Sequence, residues 1–300
     1  VLIKRLFPAK NSGHINPNDP QIDLPHDLST CYEIVYRKDT DAKELSEIIS
    51  GIPLIEFAEP DYHCQMSVVP NDPGRTNQNY LDDVDAFSAW DLNTGDASQI
   101  IGIIDTGVDW DHIDLSGNIW SNSAEVNGEE GVDDDGNGYV DDIRGWDFVN
   151  DDANPNDDNS HGTHVAGIAA ARTNNNIGMA GIAWNARIMP VKVLQSSGRG
   201  SWSDVAQGVA YCADNGATVI NMSLGGYSES LTLKTALENA YYSSFPVAAA
   251  GNDFIGIHVA DCGPRLPWPS PHFPACYSFV MGVQSSTGRF SNYDCSGPTR

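Results

Sequence analysis

The chain has 300 residues, of which 40% are hydrophobic, so it has enough apolar material to bury a sizeable core. Acidic residues outnumber basic ones by 41 to 16, and the formal net charge is -25. This charge disfavours binding to nucleic acid or to an anionic membrane surface, because long-range repulsion opposes both. The sequence has no apolar run of about 18 residues, so it predicts no membrane-spanning helix.

The first part of the chain predicts a small α+β domain. Apolar and polar residues alternate over 31–37, which predicts a strand, and the apolar residues over 41–52 have helical spacing. Residues 53–62 again have the composition of an extended segment, so the predicted order is β-α-β. A segment rich in Pro, Asn and Gly follows, and this composition is typical of an exposed linker. The sequence therefore predicts a domain over 1–66, a linker over 67–79 and a larger domain over 80–300.

From Gln99 onward, apolar strands alternate with helical segments. This alternation predicts an α/β fold in which helices cover both faces of a parallel sheet. The predicted strands are Ile100–Ile104, Arg187–Lys192, Thr218–Met222, Pro246–Ala250 and Phe279–Val283. The predicted helices are His161–Arg172, Ser203–Asn215 and Leu231–Ser243.

Three polar residues follow predicted strands or begin a predicted helix, which is where α/β folds place their functional sites. Asp105 ends the apolar strand IIGIID, so its carboxylate emerges at the carboxyl edge of the sheet, although an Asp there can also cap a helix or a turn. His161 begins a helix of small residues and is either a cap or a general base. As a base it needs an acid partner, which Asp105 can supply. Asn252 follows another strand, and its amide either satisfies loop backbone or donates to an oxyanion.

Four motifs carry a resemblance to a known family. They are IIDTGVD around Asp105, HGTHVAG around His161, VINMSLGG ending at Gly226 and VAAAGND around Asn252. In these motifs and in their order, the chain resembles the subtilisin family of serine proteases. The resemblance implies a subtilisin-like fold and a serine endopeptidase. In it, Asp105 orients His161, His161 acts as general base and then acid, and Asn252 donates to the tetrahedral intermediate.

One motif of that family is missing. Its serine lies in a GTSMA-like motif at the start of a helix, and no such motif occurs between Asn252 and Arg300. We therefore expect a catalytic domain truncated shortly before the nucleophile, in a chain that begins inside a longer precursor. Activity then requires a continuation, or a complementary C-terminal fragment that carries the serine. Two other interpretations stay open: a catalytically inactive protein of this fold with a structural or assembly role outside the cell, and a non-catalytic calcium-binding module.

The resemblance also implies a cleft for protein or peptide substrates. Segment 198–201 resembles the edge strand on one side of an extended peptide, and segment 223–225 resembles the strand on the other side. Small residues at 224–226 and 249–251 imply a roomy pocket that tolerates apolar side chains. The implied substrate-binding residues are Gly198, Gly200, Ser223, Leu224, Gly225, Ala249 and Gly251.

An acidic loop predicts a calcium site. In DDDGNGYVDD, oxygen-bearing groups alternate and a glycine permits a tight turn, as in the first part of an EF-hand loop. The predicted ligands are Asp133, Asp135, Asn137, the carbonyl of Tyr139 and Asp141. Arg144 stands where that loop has its bidentate glutamate, so Asp142 or a distant carboxylate must complete the site. The alternative is a solvated acidic loop without metal.

A second calcium site is implied by the resemblance alone. Asp114 and the loop TNNNIGM match a structural calcium site of subtilisins, although Asn-rich loops are also ordinary turns. The implied ligands are Asp114, Asn175 and the backbone carbonyls of Thr173, Ile177 and Met179. Bound calcium would couple folding to metal concentration and hinder autolysis.

The front domain ends in LIEFAEPDYHCQ, which resembles the back half of a subtilisin propeptide. The resemblance implies that this domain inhibits its own enzyme and is removed by cleavage between about Cys64 and Gln78. The chain has six cysteines, an even number that fits an oxidising compartment. Together these features predict a secreted zymogen that calcium stabilises.

Overall fold

The computed structural model describes residues 1–6, 30–36, 41–62, 68–252, 256–257, 272–285 and 293–294. Contacts group the chain into two compact units, Val1–Met66 and Ser67–Arg300. The two units are built from different elements, and the larger one carries the predicted site residues.

The described residues of the smaller unit form a two-stranded antiparallel sheet and one helix. Strand β1 (Leu2–Arg5) pairs with β2 (Tyr32–Val35), and helix α1 (Ala42–Ser50) follows. Asp41 caps α1, because its carboxylate accepts hydrogen bonds from backbone amides in the first turn. No residue of α1 is buried, so this helix contributes no interior core.

The order of this unit is β-β-α among the described residues, whereas the sequence predicted β-α-β. Residues 53–62 form no strand. Instead the Ser50 hydroxyl bonds both the amide and the carbonyl of Ala58, which folds the segment back on the end of α1. Pro53 and Pro60 lack the amide hydrogen that a strand donates, so they oppose pairing at both ends of the segment.

The larger unit is an α/β domain with a six-stranded sheet. The strands are β3 (Ile100–Asp105), β4 (Trp146–Asp147), β5 (Arg187–Lys192), β6 (Val219–Met222), β7 (Phe245–Ala249) and β9 (Met281–Val283). Their order across the sheet is β4-β5-β3-β6-β7-β9, and every neighbouring pair is parallel. A separate parallel pair joins β8 (Gly256–Ile257) to β10 (Tyr293–Asp294).

Helices cover both faces of the six-stranded sheet, which confirms the predicted fold class. Helix α5 (His161–Ala170) lies on one face, and α6 (Trp202–Asp214) and α7 (Leu231–Ala240) lie on the other. The neighbouring residues Ile103 and Ile104 of β3 pack into these two separate cores, because side chains alternate along a strand. Among the described residues, no helix is long and apolar enough to cross a membrane.

The segment predicted as an exposed linker is partly buried. Shorter helices begin there and continue further along the chain: a 3-10 helix (Pro73–Asn77), α2 (Tyr80–Asp83), α3 (Ala86–Trp90) and α4 (Ser123–Asn127). Gln78 exchanges hydrogen bonds with the backbone of Ala180, and the buried Asp72 accepts them from the amides of Asn174 and Asn175. Polar residues of this segment, which suggested a linker, therefore anchor it to residues 174–180 of the same unit.

Candidate active site

Asp105 and His161 meet at the carboxyl edge of the sheet. Asp105 is the last residue of β3 and is fully buried, and His161 is the first residue of α5. The distance between Asp105 Oδ1 and His161 Nδ1 is 2.7 Å. The histidine side chain is 49% exposed. A buried carboxylate therefore orients an imidazole that solvent can reach.

The surroundings of Asp105 act on its protonation in two directions. Burial raises the pKa of this carboxyl, and the hydrogen bonds from His161 and Thr106 oppose that rise without cancelling it. The Thr106 amide donates to Oδ1, the oxygen that also faces His161. Oδ2 is buried and has no hydrogen-bond partner among the described residues. The carboxylate therefore depends strongly on the imidazole for its stabilisation.

The loop before α5 fixes the position of His161 through one carboxylate. Asp157 accepts five hydrogen bonds, from the amides of Asn159, Ser160 and Thr163 and from the hydroxyls of Thr106 and Thr163. Burial opposes ionisation of Asp157, but these hydrogen bonds outweigh burial and lower its pKa. Ser160 is held at φ 82°, a left-handed conformation that is strained for an L residue. The contacts of Asp157 maintain that strained entry into the helix.

Helix α5 approaches β3 so closely that position 162 requires glycine. A Cβ on Gly162 would overlap the carbonyl oxygen of Gly107 and would lie 3.0 Å from Cβ of Asp105. The Gly162 amide donates to Thr106 Oγ1 at 3.0 Å. The first turn of α5 therefore rests directly against the residues that follow β3.

The other predicted site segments end on the same edge of the sheet. β6 lies beside β3 and β7 beside β6, so Ser223 and Asn252 follow strands that are about 5 Å and about 10 Å to one side of Asp105. Asn252 is exposed. Ala249 ends β7, and Gly251 adopts φ 94°, a conformation suited to glycine. The strands that lead to Asp105, Ser223 and Asn252 thus end on the same edge of the sheet.

Residues 272 and 273, which sequence reasoning missed, pack against segment 223–226. Gly226 pairs with Phe273 through two backbone hydrogen bonds of 3.0 and 2.8 Å. A Cβ on Gly225 would overlap the ring of His272, so the two segments are closely packed. No sequence signal pointed to residues 272 and 273, because their pairing arises only in the tertiary structure.

Gly198 and Gly200 belong to a tight hairpin that follows β5. Leu194 forms an antiparallel bridge with Gly200, and Gly198 adopts φ 74° at the turn. A Cβ on Gly200 would overlap the carbonyl oxygen of Val193, so glycine permits this close return. The segment predicted as an extended edge strand is therefore the exposed arm of a hairpin.

The acidic loop brings together a carboxylate set that differs from the predicted one. Oxygens of Glu125, Asp135 and Asp142 lie within 4.8 Å of one another, and Glu125 and Asp142 are buried. The side-chain amides of Asn122 and Asn137 reach the same cluster. The sequence left room for Asp142 or a distant carboxylate, and the cluster contains both, with Glu125 coming from α4.

Two predicted ligands of this loop face its own backbone. Asp133 accepts hydrogen bonds from the three amides of residues 136–138, and these bonds lower its pKa. Asp141 accepts from the amide of Gly131. The carboxylates of Asp133 and Asp141 therefore shape the turn, and neither belongs to the cluster.

A buried hydrogen bond ties the cluster to the helical layer. The hydroxyl of Tyr211 on α6 donates to Asp142 Oδ2 at 2.6 Å. Burial raises the pKa of both Asp142 and Tyr211. The Tyr211 ring packs edge-on against Tyr139, with 5.1 Å between ring centroids. Asp142 is thus shared between the loop and the core.

The second predicted calcium loop converges on Asp114. The side-chain amide of Asn175 donates to Asp114 Oδ1 and the backbone amide of Met179 donates to Oδ2, both at 2.9 Å. The Ile177 amide donates to Asn175 Oδ1 at 2.7 Å. The Thr173 hydroxyl bonds backbone carbonyls close to the loop. The predicted residues therefore form one compact loop around a single carboxylate.

Asp72 joins this loop without having been predicted. It is 2% exposed, and its carboxylate accepts hydrogen bonds from the amides of Asn174 and Asn175 at 2.7 and 3.1 Å. Asp72 precedes the loop by about a hundred residues, a separation that no local spacing rule covers. Asp72 and Asp114 therefore both accept hydrogen bonds from this loop.

Comparisons with known proteins agree with these observations. The sequence pattern of the subtilase family matches residues 96–298. The chain is 42% identical over 215 residues to a thermophilic serine proteinase of Bacillus sp. strain AK1, covering 68% of this chain and 46% of that protein. It is 39% identical over 219 residues to thermitase of Thermoactinomyces vulgaris, covering 72% of this chain and 65% of that protein.

A third relative is similar over a comparable length. The chain is 38% identical over 235 residues to the halolysin-like extracellular serine protease Nep of Natrialba magadii, covering 77% of this chain and 38% of that protein. The chain therefore spans between 38% and 65% of the length of these three relatives.

Proposed function

Because the chain belongs to the subtilase family, we propose that it forms the acid-base part of a secreted serine endopeptidase. The observation that carries this proposal is the 2.7 Å contact between the buried Asp105 and the accessible His161. The carboxylate holds the imidazole proton on Nδ1, which leaves Nε2 as the basic nitrogen. This is the arrangement that converts a serine hydroxyl into a nucleophile.

In the proposed reaction, His161 Nε2 removes the proton of a serine hydroxyl while the serine oxygen attacks the scissile carbonyl carbon. Asp105 stabilises the imidazolium that results. His161 then gives the proton to the leaving amine, and the same steps with water release the acyl group. We place the nucleophilic serine outside residues 1–300, because none of the serines in the chain lies in a GTSMA-like motif.

The amide of Asn252 is proposed to donate to the oxyanion of the tetrahedral intermediate. Loss of one such donor lowers kcat by about 10²–10³-fold, a typical magnitude that was itself measured on a subtilisin. The substrate is proposed to lie extended between hairpin 198–200 and segment 223–225, with residues 249–251 beside the residue before the scissile bond. The position of these segments along the edge that carries Asp105 supports this arrangement.

Calcium is proposed to stabilise the acidic loop. The donors at Glu125, Asp135 and Asp142 are oxygens, which Ca²⁺ prefers. Among the described residues, no lysine, arginine or histidine forms an ion pair with these carboxylates. Because buried charge is costly unless it is compensated, a bound cation fits this cluster.

A second calcium is proposed at the loop around Asp114. The proposed donors are the carboxylates of Asp114 and Asp72, the side-chain carbonyl of Asn175 and the backbone carbonyls of Thr173, Ile177 and Met179. The burial of both carboxylates supports this proposal, since metal binding compensates charge that is removed from water.

The unit Val1–Met66 is proposed to be a propeptide that inhibits the enzyme until it is removed. Its C-terminal motif LIEFAEPDYHCQ supports this role. Secretion is supported by the relative that is named an extracellular protease.

The test is covalent labelling of the full-length protein with a fluorophosphonate probe, with mass spectrometry to locate the label. We expect label on one serine in a GTSMA-like motif. His161→Ala should lose nearly all labelling because the hydroxyl then lacks its base, whereas His164→Ala, an exposed change on the same helix, should keep it. A folded full-length protein that takes no label contradicts the proposal and favours a catalytically inactive family member with a structural or assembly role.

A further inference from the structure

A buried lysine lies behind the active-site edge. Lys192 is the last residue of β5, and its side chain is 2% exposed, although lysine is among the residue types least often buried. In the parallel register of β3 and β5 it lies opposite Asp105. An ammonium group is costly to bury unless its hydrogen bonds are satisfied, so its acceptors indicate what it holds in place.

The ammonium group uses all of its donor capacity. Nζ donates to the carbonyl oxygen of Thr106 at 2.7 Å, to the carbonyl oxygen of Leu194 at 2.9 Å and to Asp158 Oδ1 at 2.7 Å. An ammonium has three protons to donate, and each has an acceptor here. Asp158 is 48% exposed, so the buried end of this ion pair is the lysine.

The three acceptors belong to three segments that build the proposed site. Thr106 directly follows Asp105, Asp158 precedes His161 by three residues, and Leu194 begins the hairpin of Gly200. Residues close in sequence to the acid, to the base and to one side of the proposed substrate cleft therefore meet at a single nitrogen atom. Their alignment must be kept within a fraction of an ångström, because a shift of about 1 Å can lower a reaction rate by about 100-fold.

We propose that Lys192 is a positioning residue that holds the Asp105–His161 pair and the 194–200 hairpin in register. Its ammonium does not touch the reacting atoms; it acts through the carbonyl after Asp105, the carboxylate before His161 and the carbonyl at the hairpin. The effect on turnover rests on the proposed function, whereas the effect on the Asp105–His161 contact does not.

The first experiment observes that contact without requiring activity. The full-length protein is labelled with ¹⁵N-histidine, and the Nδ1 signal of His161 is assigned by its loss in His161→Ala. Lys192→Met removes the ammonium and keeps a long side chain, and Lys234→Met on α7 makes the same change of charge outside the site. We expect the His161 Nδ1 signal to shift in Lys192→Met and to stay in place in Lys234→Met. An unchanged signal in Lys192→Met overturns the proposal.

The second experiment separates positioning from charge balance. Lys192→Met leaves the Asp158 carboxylate without its partner, and Lys192→Met/Asp158→Asn removes both charges. We expect the double variant to regain most of the thermal stability that the single variant loses. Its turnover per fluorophosphonate-labelled serine should remain about tenfold or more below that of the wild type, since the two carbonyls are still unsupported.

Each remaining outcome is decisive. If the double variant regains both stability and turnover, Lys192 only balances Asp158 and the proposal is overturned. If Lys192→Met does not fold, the His161 Nδ1 signal and the turnover are both measured on the double variant. A wild type that takes no label contradicts the proposed function alone, and the shift of the His161 signal still decides the role of Lys192.

Discussion

Two acidic segments of the larger unit differ in how closely their carboxylates approach one another. Before α5, Asp157 is satisfied by five hydrogen bonds from amides and hydroxyls of the protein. In the loop after α4, Glu125, Asp135 and Asp142 converge, and no basic side chain among the described residues pairs with them. Protein donors bond the carboxylates in both segments, so a high density of acidic residues does not by itself indicate a metal site. What distinguishes the second segment is that three carboxylates converge without a basic side chain, in the described part of the chain, to balance their charge.

Removal of calcium from the full-length protein tests the second segment and should produce the greatest change. At calcium concentrations of about 100 to 1,000 times Kd, each site contributes about 2.7–4.1 kcal/mol to the free energy of unfolding. Chelation should therefore lower Tm by about 5–15 °C for each site, as measured by calorimetry at constant ionic strength. A Tm that does not respond to chelation would show that this segment, too, is satisfied by the protein alone.

Matched variants identify which carboxylates bind the ion. Asp142→Asn should remove the part of the calcium-induced Tm shift that belongs to the acidic loop. Asp133→Asn changes the charge equally but alters only a turn, so it should retain that part. Equal losses in the two variants would contradict the carboxylate set of Glu125, Asp135 and Asp142.

Replacement of Asp157 tests the first segment. Asp157→Ala removes the five hydrogen bonds that shape the entry to α5, and kcat/KM should fall by about 100-fold because His161 is displaced. Peptide hydrolysis by the full-length protein measures the loss, with the exposed change Asp83→Ala as a control for charge. The loss should persist at saturating calcium. Rescue by calcium would mean that both segments depend on metal.

The elements of the fold could be predicted because their signals are local and periodic. Strand Arg187–Lys192 has the bounds that the sequence predicted, and the end of α7 differs from prediction by three residues, where the last turn departs from the regular helix. Residues 53–62 were misinterpreted because apolar content alone does not form a strand when prolines interrupt it.

The site residues could likewise be predicted where their signals are local, and could not where they depend on tertiary contacts. Asp105 and His161 stand at the ends of regular elements inside short motifs, so the sequence predicts that they meet, and the structure places them 2.7 Å apart. Glu125 and Asp72 reach their clusters from other parts of the chain, which loop spacing cannot reveal. Lys192 reads as the polar end of an apolar strand, and only the structure shows that it is buried and fully hydrogen-bonded.

The smallest expected effect is on how the free energy of unfolding of the wild type and of Asp157→Asn changes with pH. Burial opposes the ionisation of Asp157, but hydrogen bonds outweigh burial and lower its pKa in the folded state. The contribution of Asp157 to the stability of the fold is therefore complete above the unfolded-state pKa of about 3.9. It is lost as pH falls through the lower folded-state pKa. Urea unfolding of the wild type and Asp157→Asn, both in calcium, should show a stability gap at about pH 7 that narrows below about pH 4. A gap of constant size would contradict this role of the carboxylate.

The phenol of Tyr211 makes the acidic loop part of the same cooperative unit as the interior. Opening the loop breaks a buried bond to Asp142 and separates the Tyr211 ring from Tyr139. Because α6 packs against β3 and β5, disturbance of Tyr211 extends to the two strands that end at Asp105 and Lys192. A cation bound by the loop would therefore also protect the edge that carries Asp105 from local unfolding.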